Sequence, residues 1–306
     1  MNTSSHRPTP VIVFAYARRE HLKGAIESLL ANPEAPATHL HVYCDGPKRP
    51  EHREAVDAVR RYVETIRGFA SIRPVFREQN LGLAKSVIAG VSEVVQAHGR
   101  VIVVEDDLLL SPHFLQYMNQ GLDCYAHDEI VASIHGYRYP TAARLPETFF
   151  IRGADCWGWA TWSRAWAHFE PDGRKLLDEL HVRGLSDRFD FEGSFPYTGM
   201  LQDQVAGRND SWAVRWYASC FLKGMLTLYP GQSLVENAGN DASGTHCVAT
   251  DAFSQRLAPA PPRVARTALA ESAVARREFV RFFRRQRPSV AARAGRFLKD
   301  LIPRAG

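Results

Sequence analysis

No stretch of the 306-residue chain approaches the roughly eighteen consecutive apolar residues that a membrane-spanning helix requires, and the opening MNTSSHRPTP has no apolar signal-peptide core. The expected location is the cytoplasm. Five cysteines (Cys44, Cys124, Cys156, Cys220, Cys247) show neither CxxC nor CxxH spacing, which argues against a zinc site and a disulfide framework and leaves them as reduced thiols. Gly-x-Gly-x-x-Gly and Gly-x4-Gly-Lys-Ser/Thr are missing after every strand-like run, which argues against a dinucleotide enzyme and a P-loop NTPase.

Acidic residues are scarce at one end. From Arg263 to Gly306 there are twelve Lys/Arg against three Asp/Glu, a local +9 in a chain of net +5, so the preceding 262 residues carry −4. This basic tail follows Ala258-Pro259-Ala260-Pro261-Pro262, a linker by composition. Within it Ala275, Phe279, Phe282 and Phe283 share a helical face, and Val290, Ala294, Phe297, Leu298 and Leu301 repeat the spacing after Pro288. Two readings stand side by side: basic amphipathic helices docking on an anionic membrane surface, or helices packed on the main domain with a solvated basic face. Nucleic acid is not an expected partner, because the basic surface is confined to an appendage with no recognisable module.

What is present begins with composition: 45% hydrophobic residues, enough to bury the core of one large domain or two closely packed ones. Strand-like and helical runs alternate through the first half. Strands are predicted at 11–16, 40–44, 72–76 and 101–104, helices at 20–31, 51–67 and 84–98. Such alternation means βαβ units and a mainly parallel sheet, with ligands at the carboxyl ends of the strands. After Asp128 the alternation is lost, with strands at 130–135, 148–152 and 226–229 and a helix opened by Asn209 to Trp216 that Ala218 to Leu222 continues. The halves 8–127 and 128–257, the linker 258–262 and the tail 263–306 are the expected divisions.

The strand ends carry the chemistry. Val101-Ile102-Val103-Val104 runs directly into Glu105-Asp106-Asp107, a buried strand that delivers three adjacent carboxylates at its tip. Carboxylates so close repel one another, and oxygen-only ligands suit Mg²⁺ or Mn²⁺. The plainer alternative is an acidic turn capping a helix begun by Ser111-Pro112. The other strand ends are Ala15-Tyr16-Ala17-Arg18, Asp45-Gly46 and Glu78-Gln79-Asn80-Leu81-Gly82. Asp45 is either a plain turn residue or an acceptor for a base or ribose.

Further on, Trp157, Trp159, Trp162 and Trp166 fall within ten residues. They read either as core packing along a helix face or as the wall of an acceptor pocket, where flat rings stack on sugars. Asp210 opens the Ser211-Trp212-Ala213-Val214-Arg215-Trp216 helix and suits an N-cap. The loop 237–247, rich in glycine and hydrogen-bonding groups, offers His246 as an imidazole ligand or as a structural histidine.

Together these residues resemble the nucleotide-sugar glycosyltransferases of GT-A fold, especially bacterial members of family 2 and the N-acetylglucosaminyltransferase I type, over roughly Pro10 to Cys247. The resemblance implies a Rossmann-like α/β fold with a mainly parallel central sheet flanked by helices and a smaller acceptor-side α+β region. It implies that Ala15, Tyr16, Arg18, Asp45, Asn80, Gly82, Lys85, Glu105 and Asp106 bind the nucleotide-sugar donor, and that Asp107, with His246, holds Mn²⁺ or Mg²⁺. Trp157, Trp159 and Trp212 would face a glycan or lipid-linked acceptor, and Asp210 would be the catalytic base of an inverting transfer, ahead of Asp203, Asp190 and Glu192. UDP is the favoured nucleotide, and the inner face of the plasma membrane the expected site of peripheral attachment. Sugar-phosphate nucleotidyl transfer is the alternative reaction, weakened by the lack of a Gly-x-Gly-Thr-Arg type loop after the first strand. A non-enzymatic membrane- or carbohydrate-binding protein is the other alternative, and it leaves the strand-tip carboxylates unexplained.

Overall fold

The computed structural model describes residues 8–239 and 252–286. The expected α/β architecture is the one the chain adopts: an eight-stranded sheet flanked by helices, with a two-stranded sheet beside it. Three successive βαβ units open it: β1 (Val11–Ala15), α1 (Arg19–Leu30), β2 (His39–Cys44), α2 (Arg53–Thr65), β3 (Ser71–Phe76), α3 (Leu83–His98) and β4 (Arg100–Glu105). Val11 to Ala15 are all buried, as a strand covered on both faces requires. There follow β5 (Leu108–Leu110), α4 (Phe114–Cys124), β6 (Val131–His135), β7 (Thr148–Ile151), β8 (Trp159–Trp162), α5 (Ser163–Trp166), α6 (Gly173–Val182), α7 (Ser186–Phe189), α8 (Tyr197–Val205), α9 (Trp212–Leu222), β9 (Leu226–Pro230), β10 (Val235–Asn237) and α10 (Ala273–Gln286).

The strand order is β3-β2-β1-β4-β8-β6-β9-β7. The first four strands pair in parallel, and β8 pairs antiparallel to β4 with Trp159 opposite Val103. The predicted parallel half therefore continues, without a break in the sheet, into a mixed half. The cap reading of the acidic triplet fails here. Glu105 ends β4, Asp106 and Asp107 form the turn to β5, and α4 starts only at Phe114, beyond that second strand.

The tail corrects an expectation. Ala258 is buried, donates its N–H to Ser233 O at 2.7 Å and accepts from Ser111 Oγ at 3.2 Å, so the proline-rich stretch is strapped to the domain. Ala275, Phe279, Phe282 and Phe283 do form the apolar face of α10, but that face is spent inside the protein. Phe279 meets Tyr139 and Tyr229 edge-on at 5.0 and 5.7 Å, and Phe283 meets Phe195 at 5.0 Å. Insertion of this helix into a bilayer would require unpacking the core, so the packed-helix reading holds for it. The second amphipathic segment, 290–301, lies outside the described residues. No described helix is long and apolar enough to cross a membrane.

Candidate active site

The tips of β1, β2 and β4 meet at one edge of the sheet. Glu105 pairs in register with Phe14, which puts Asp106 and Asp107 beside the turn that leaves β1. From that turn Arg18 reaches across, its guanidinium donating to Asp107 Oδ2 at 2.9 Å and, through the same nitrogen, to Asp106 Oδ1. The backbone of Tyr16 also donates to Asp106. One arginine thus partly compensates the triplet that repulsion would otherwise push apart.

The compensation is incomplete. Burial, together with the charges of Asp107 and Asp106, pushes the Glu105 carboxyl up to about 8. Burial also raises Asp106 to about 6, against the opposing pull of Arg18. Asp107 Oδ1 is buried with no hydrogen-bond partner among the described residues. A buried anionic oxygen left so is costly unless something cationic completes it.

Close packing holds Asp107 in place. Its carbonyl accepts from Ala238 N at 2.8 Å, because β10 pairs antiparallel to β5 with Asn237 opposite Leu108. At Gly239 a Cβ would fall 2.2 Å from Asp107 Oδ2, so only glycine lets the chain pass there. An acceptor set of carboxylate oxygens with one oxygen unpaired fits a hard divalent cation. Among the described residues no three His, Cys, Asp or Glu side chains converge on a point, so such an ion would complete its shell with water and phosphate oxygens. His246 lies outside the described residues.

Asp45 has a different setting from the one expected. Its carboxylate accepts the backbone N–H of Leu81 at 2.9 Å and of Gly82 at 2.9 Å, binding the end of β2 to the turn before α3. Asn80 Nδ2 answers by donating to Gly46 O at 2.8 Å. At Gly46 a Cβ would stand 2.6 Å from Glu78 O, and Gly82 has φ of +78°, so both glycines are needed for this close approach. Asp45 and Asn80 therefore build the crevice, and a direct contact to a base would use only the lone pairs left over. Tyr16 is likewise tied, its hydroxyl bridging His52 Nδ1 at 2.7 Å and Lys48 N at 2.8 Å. Ala15 is buried at the end of β1, and Lys85 is exposed on the first turn of α3.

The tryptophans divide. Trp159 lies in a strand, not on a helix, and is fully buried. It stacks on Trp212 at 5.4 Å and also meets Trp166 and Trp216. Trp212 is 3% exposed. Neither ring has a face to offer an acceptor, so the expected wall is an aromatic core; the two-residue period of β8 turns alternate side chains inward where a helical period would not. Trp157 is half-buried against Tyr137 and Phe253 and remains available.

The stack nonetheless does something for the site. Trp159 stands opposite Val103, two residues before Glu105, and Trp212 opens α9, so the start of α9 is brought to the carboxyl end of β4. Asp210 is there. It is not the N-cap: Ser211 is, its Oγ accepting from Val214 N at 3.2 Å. Asp210 instead accepts from Arg215 Nη2 at 2.9 Å, while its carboxylate stays largely exposed. Of the rival bases, Asp190 is engaged by Thr198, Glu192 by Arg276, and Asp203 by Arg208.

Two neighbours escaped the sequence reading. Asp155 is half-buried, accepting from Tyr139 at 2.8 Å and Tyr229 at 2.6 Å, and desolvation raises its pKa. Burial also raises the Cys156 thiol, with Glu105, Asp155 and Asp107 adding to the shift, which sets this cysteine beside the carboxylates. The signal available was the polar pair Asp155-Cys156 directly ahead of the tryptophans.

Comparison with known proteins then gives the following. The model of glycosyl transferase family 2 matches residues 11–179, more than half of the chain and the part that carries β1 to β4 and the triplet. Asp210 lies beyond that match. No curated protein sequence matches. Among solved structures, similarity is found to a mannosyltransferase from Pyrobaculum calidifontis in complex with GDP-Man and Mn²⁺ (12% identity, 71% of this chain and 70% of that one, TM-score 0.39). It is also found to GalNAc-T7 with UDP, GalNAc and Mn²⁺ (9%, 74% and 43%, 0.43). A third is glucosyl-3-phosphoglycerate synthase from Mycobacterium tuberculosis (14%, 58% and 67%, 0.34).

Proposed function

The chain belongs to glycosyl transferase family 2, and from that premise we propose an inverting, metal-assisted transfer of a hexosyl or N-acetylhexosaminyl group. The donor is a nucleotide sugar, UDP-linked by preference, and the acceptor a hydroxyl of a glycan or lipid-linked acceptor in cell-envelope polysaccharide synthesis. The observation that carries the reading is the buried Oδ1 of Asp107 at the tip of β4, without a hydrogen-bond partner among the described residues, beside two further carboxylates and Arg18.

Asp107 is the residue to hold Mn²⁺ or Mg²⁺. Bound there, the ion supplies Lewis-acid neutralisation of the charge that gathers on the departing nucleoside diphosphate. Arg18 adds a fixed positive charge at the same carboxylates, and Lys85 sits on the first turn of α3, where a helix N-terminus favours phosphate. Glu105 and Asp106 face the ribose and the donor sugar as hydrogen-bonding groups. Asp210 takes the proton of the acceptor hydroxyl as that oxygen attacks the anomeric carbon from the face opposite the leaving group. Arg215, itself buried and held by Ser211 O at 3.1 Å and Pro171 O at 3.2 Å, fixes the Asp210 carboxylate. Trp157 is the remaining candidate for stacking on the acceptor.

The test is thermal stabilisation by UDP, GDP and CMP with and without Mn²⁺, on the wild type and on Asp107→Ala. A Mn²⁺-dependent shift with UDP that vanishes in the variant is expected; no shift with any nucleotide sinks the reading.

A further inference from the structure

Away from the crevice, α10 and α7 enclose a groove of about 670 Å³ lined by Arg188, Arg276, Arg277, Arg281 and Arg284. Its two carboxylates are already engaged at its base. Glu271 meets Arg276 at 3.3 Å and Arg188 at 3.5 Å, and Glu192 meets Arg276 at 3.1 Å. The outer rim is not compensated in this way. Arg277, Arg281, Arg284 and Arg285 are exposed at i, i+4, i+7 and i+8, one face of the helix, and only Arg281 has an ion-pair partner, Glu278, among the described residues. Burial of Phe279 and Phe283 on the opposite face fixes the direction in which this arginine row points. The chain continues past Gln286 with twenty residues that carry five Lys/Arg and one Asp, so the row runs into further positive charge.

We propose that this outward face of α10 docks on the phosphate headgroups of an anionic lipid bilayer, by charge alone and without apolar insertion. Charge complementarity favours that occupant. Guanidinium forks match phosphate oxygens, and the row spreads its charges along about two turns of helix where a discrete small anion would draw them to a point. Attachment of this kind is salt-sensitive, because exposed charges are screened beyond a Debye length of about 8 Å at physiological ionic strength. The proposal does not depend on the transfer reaction, since it is measured without donor or acceptor.

The experiment is cosedimentation of the full chain with phosphatidylcholine vesicles with and without phosphatidylglycerol, comparing the wild type with R277Q/R281Q/R284Q. The substituted side chains are exposed, and circular dichroism checks that the variant is folded. Expected are binding only to vesicles containing phosphatidylglycerol, a decline with added salt, and on the order of 100-fold weaker partitioning in the variant, from about 5-fold per arginine. Equal binding to both vesicle types overturns the proposal, as does an unweakened variant. It is also overturned if inorganic phosphate releases the protein better than chloride at equal ionic strength, which would mark a discrete anion site, or if duplex DNA displaces the vesicles, which would mark a nucleic-acid surface.

Discussion

Arg18 Nη2 donates to Asp107 Oδ2 at 2.9 Å and to Asp106 as well, so one guanidinium from the tip of β1 bridges two of the three carboxylates at the tip of β4. This cross-strand clamp is the only ion pair drawn to the triplet among the described residues. Its removal leaves Asp106 and Asp107 uncompensated next to Glu105. In Arg18→Ala, turnover is expected to fall by roughly 10²-fold, the size of losing one fixed charge at the leaving group. Nucleotide binding should become more dependent on divalent metal. Steady-state kinetics across a Mn²⁺ titration checks this, and an unchanged kcat would remove Arg18 from the diphosphate.

Asp210 and Ser211 are adjacent but have separable tasks. Asp210→Asn keeps size and loses the base, so turnover should drop by about 10²- to 10⁴-fold while donor affinity stays as it was. Ser211→Ala removes the Val214 N–H acceptor and should cost about 1 kcal/mol of stability with donor turnover little altered. Kinetics and urea unfolding on both variants distinguish them; wild-type turnover in Asp210→Asn would place the base elsewhere.

The division among the tryptophans is equally open to measurement. Trp159→Ala empties a fully buried site and should cost about 3–5 kcal/mol. Trp157→Ala, at a half-buried ring, should cost clearly less stability and raise KM for the acceptor more than for the donor. If Trp157→Ala left acceptor kinetics untouched, no tryptophan would remain for that role.

His135 supplies a pH dependence. It is fully buried, neither ring nitrogen has a hydrogen-bond partner among the described residues, and burial lowers its pKa to about 3. Because this lies below the ordinary 6.5, the unfolded chain binds a proton that the native state refuses between about pH 3 and 6.5. Stability therefore rises with pH through that window and is lost as the pH falls. The contribution is on the order of several kcal/mol across the full window. Urea midpoints measured from pH 7 down to 4 should fall for the wild type and fall less steeply for His135→Phe. Parallel slopes in the two proteins would assign the acid sensitivity to other groups.

Much of the architecture is local in origin and was legible without coordinates. Runs such as Val11 to Ala15 and Val101 to Val104 state their burial by composition, and helices alternating with them dictate parallel pairing. The carboxyl ends of those strands then name Arg18, Asp45 and the Glu105-Asp106-Asp107 triplet as one crevice, since the strand order brings them together whatever the side chains do. Family membership follows from the same stretch.

Much of what those residues touch comes from segments far away in the chain. No local rule says that Asp45 is taken up by Leu81 and Gly82 N–H groups or that Trp159 finds Trp212, whereas Ser211 as the cap of α9 follows a local preference. The amphipathic face of α10 was readable as apolar, but periodicity fixes only which residues share a face, not whether lipid or protein covers it. Here protein does, because Tyr139, Phe195 and Tyr229 offer a complementary aromatic surface. Strand composition and order place carboxylates together at the strand tips; the folded chain decides that Asp45 is taken up by backbone N–H groups, that Asp210 is held by Arg215, and that Asp107 Oδ1 has no hydrogen-bond partner among the described residues.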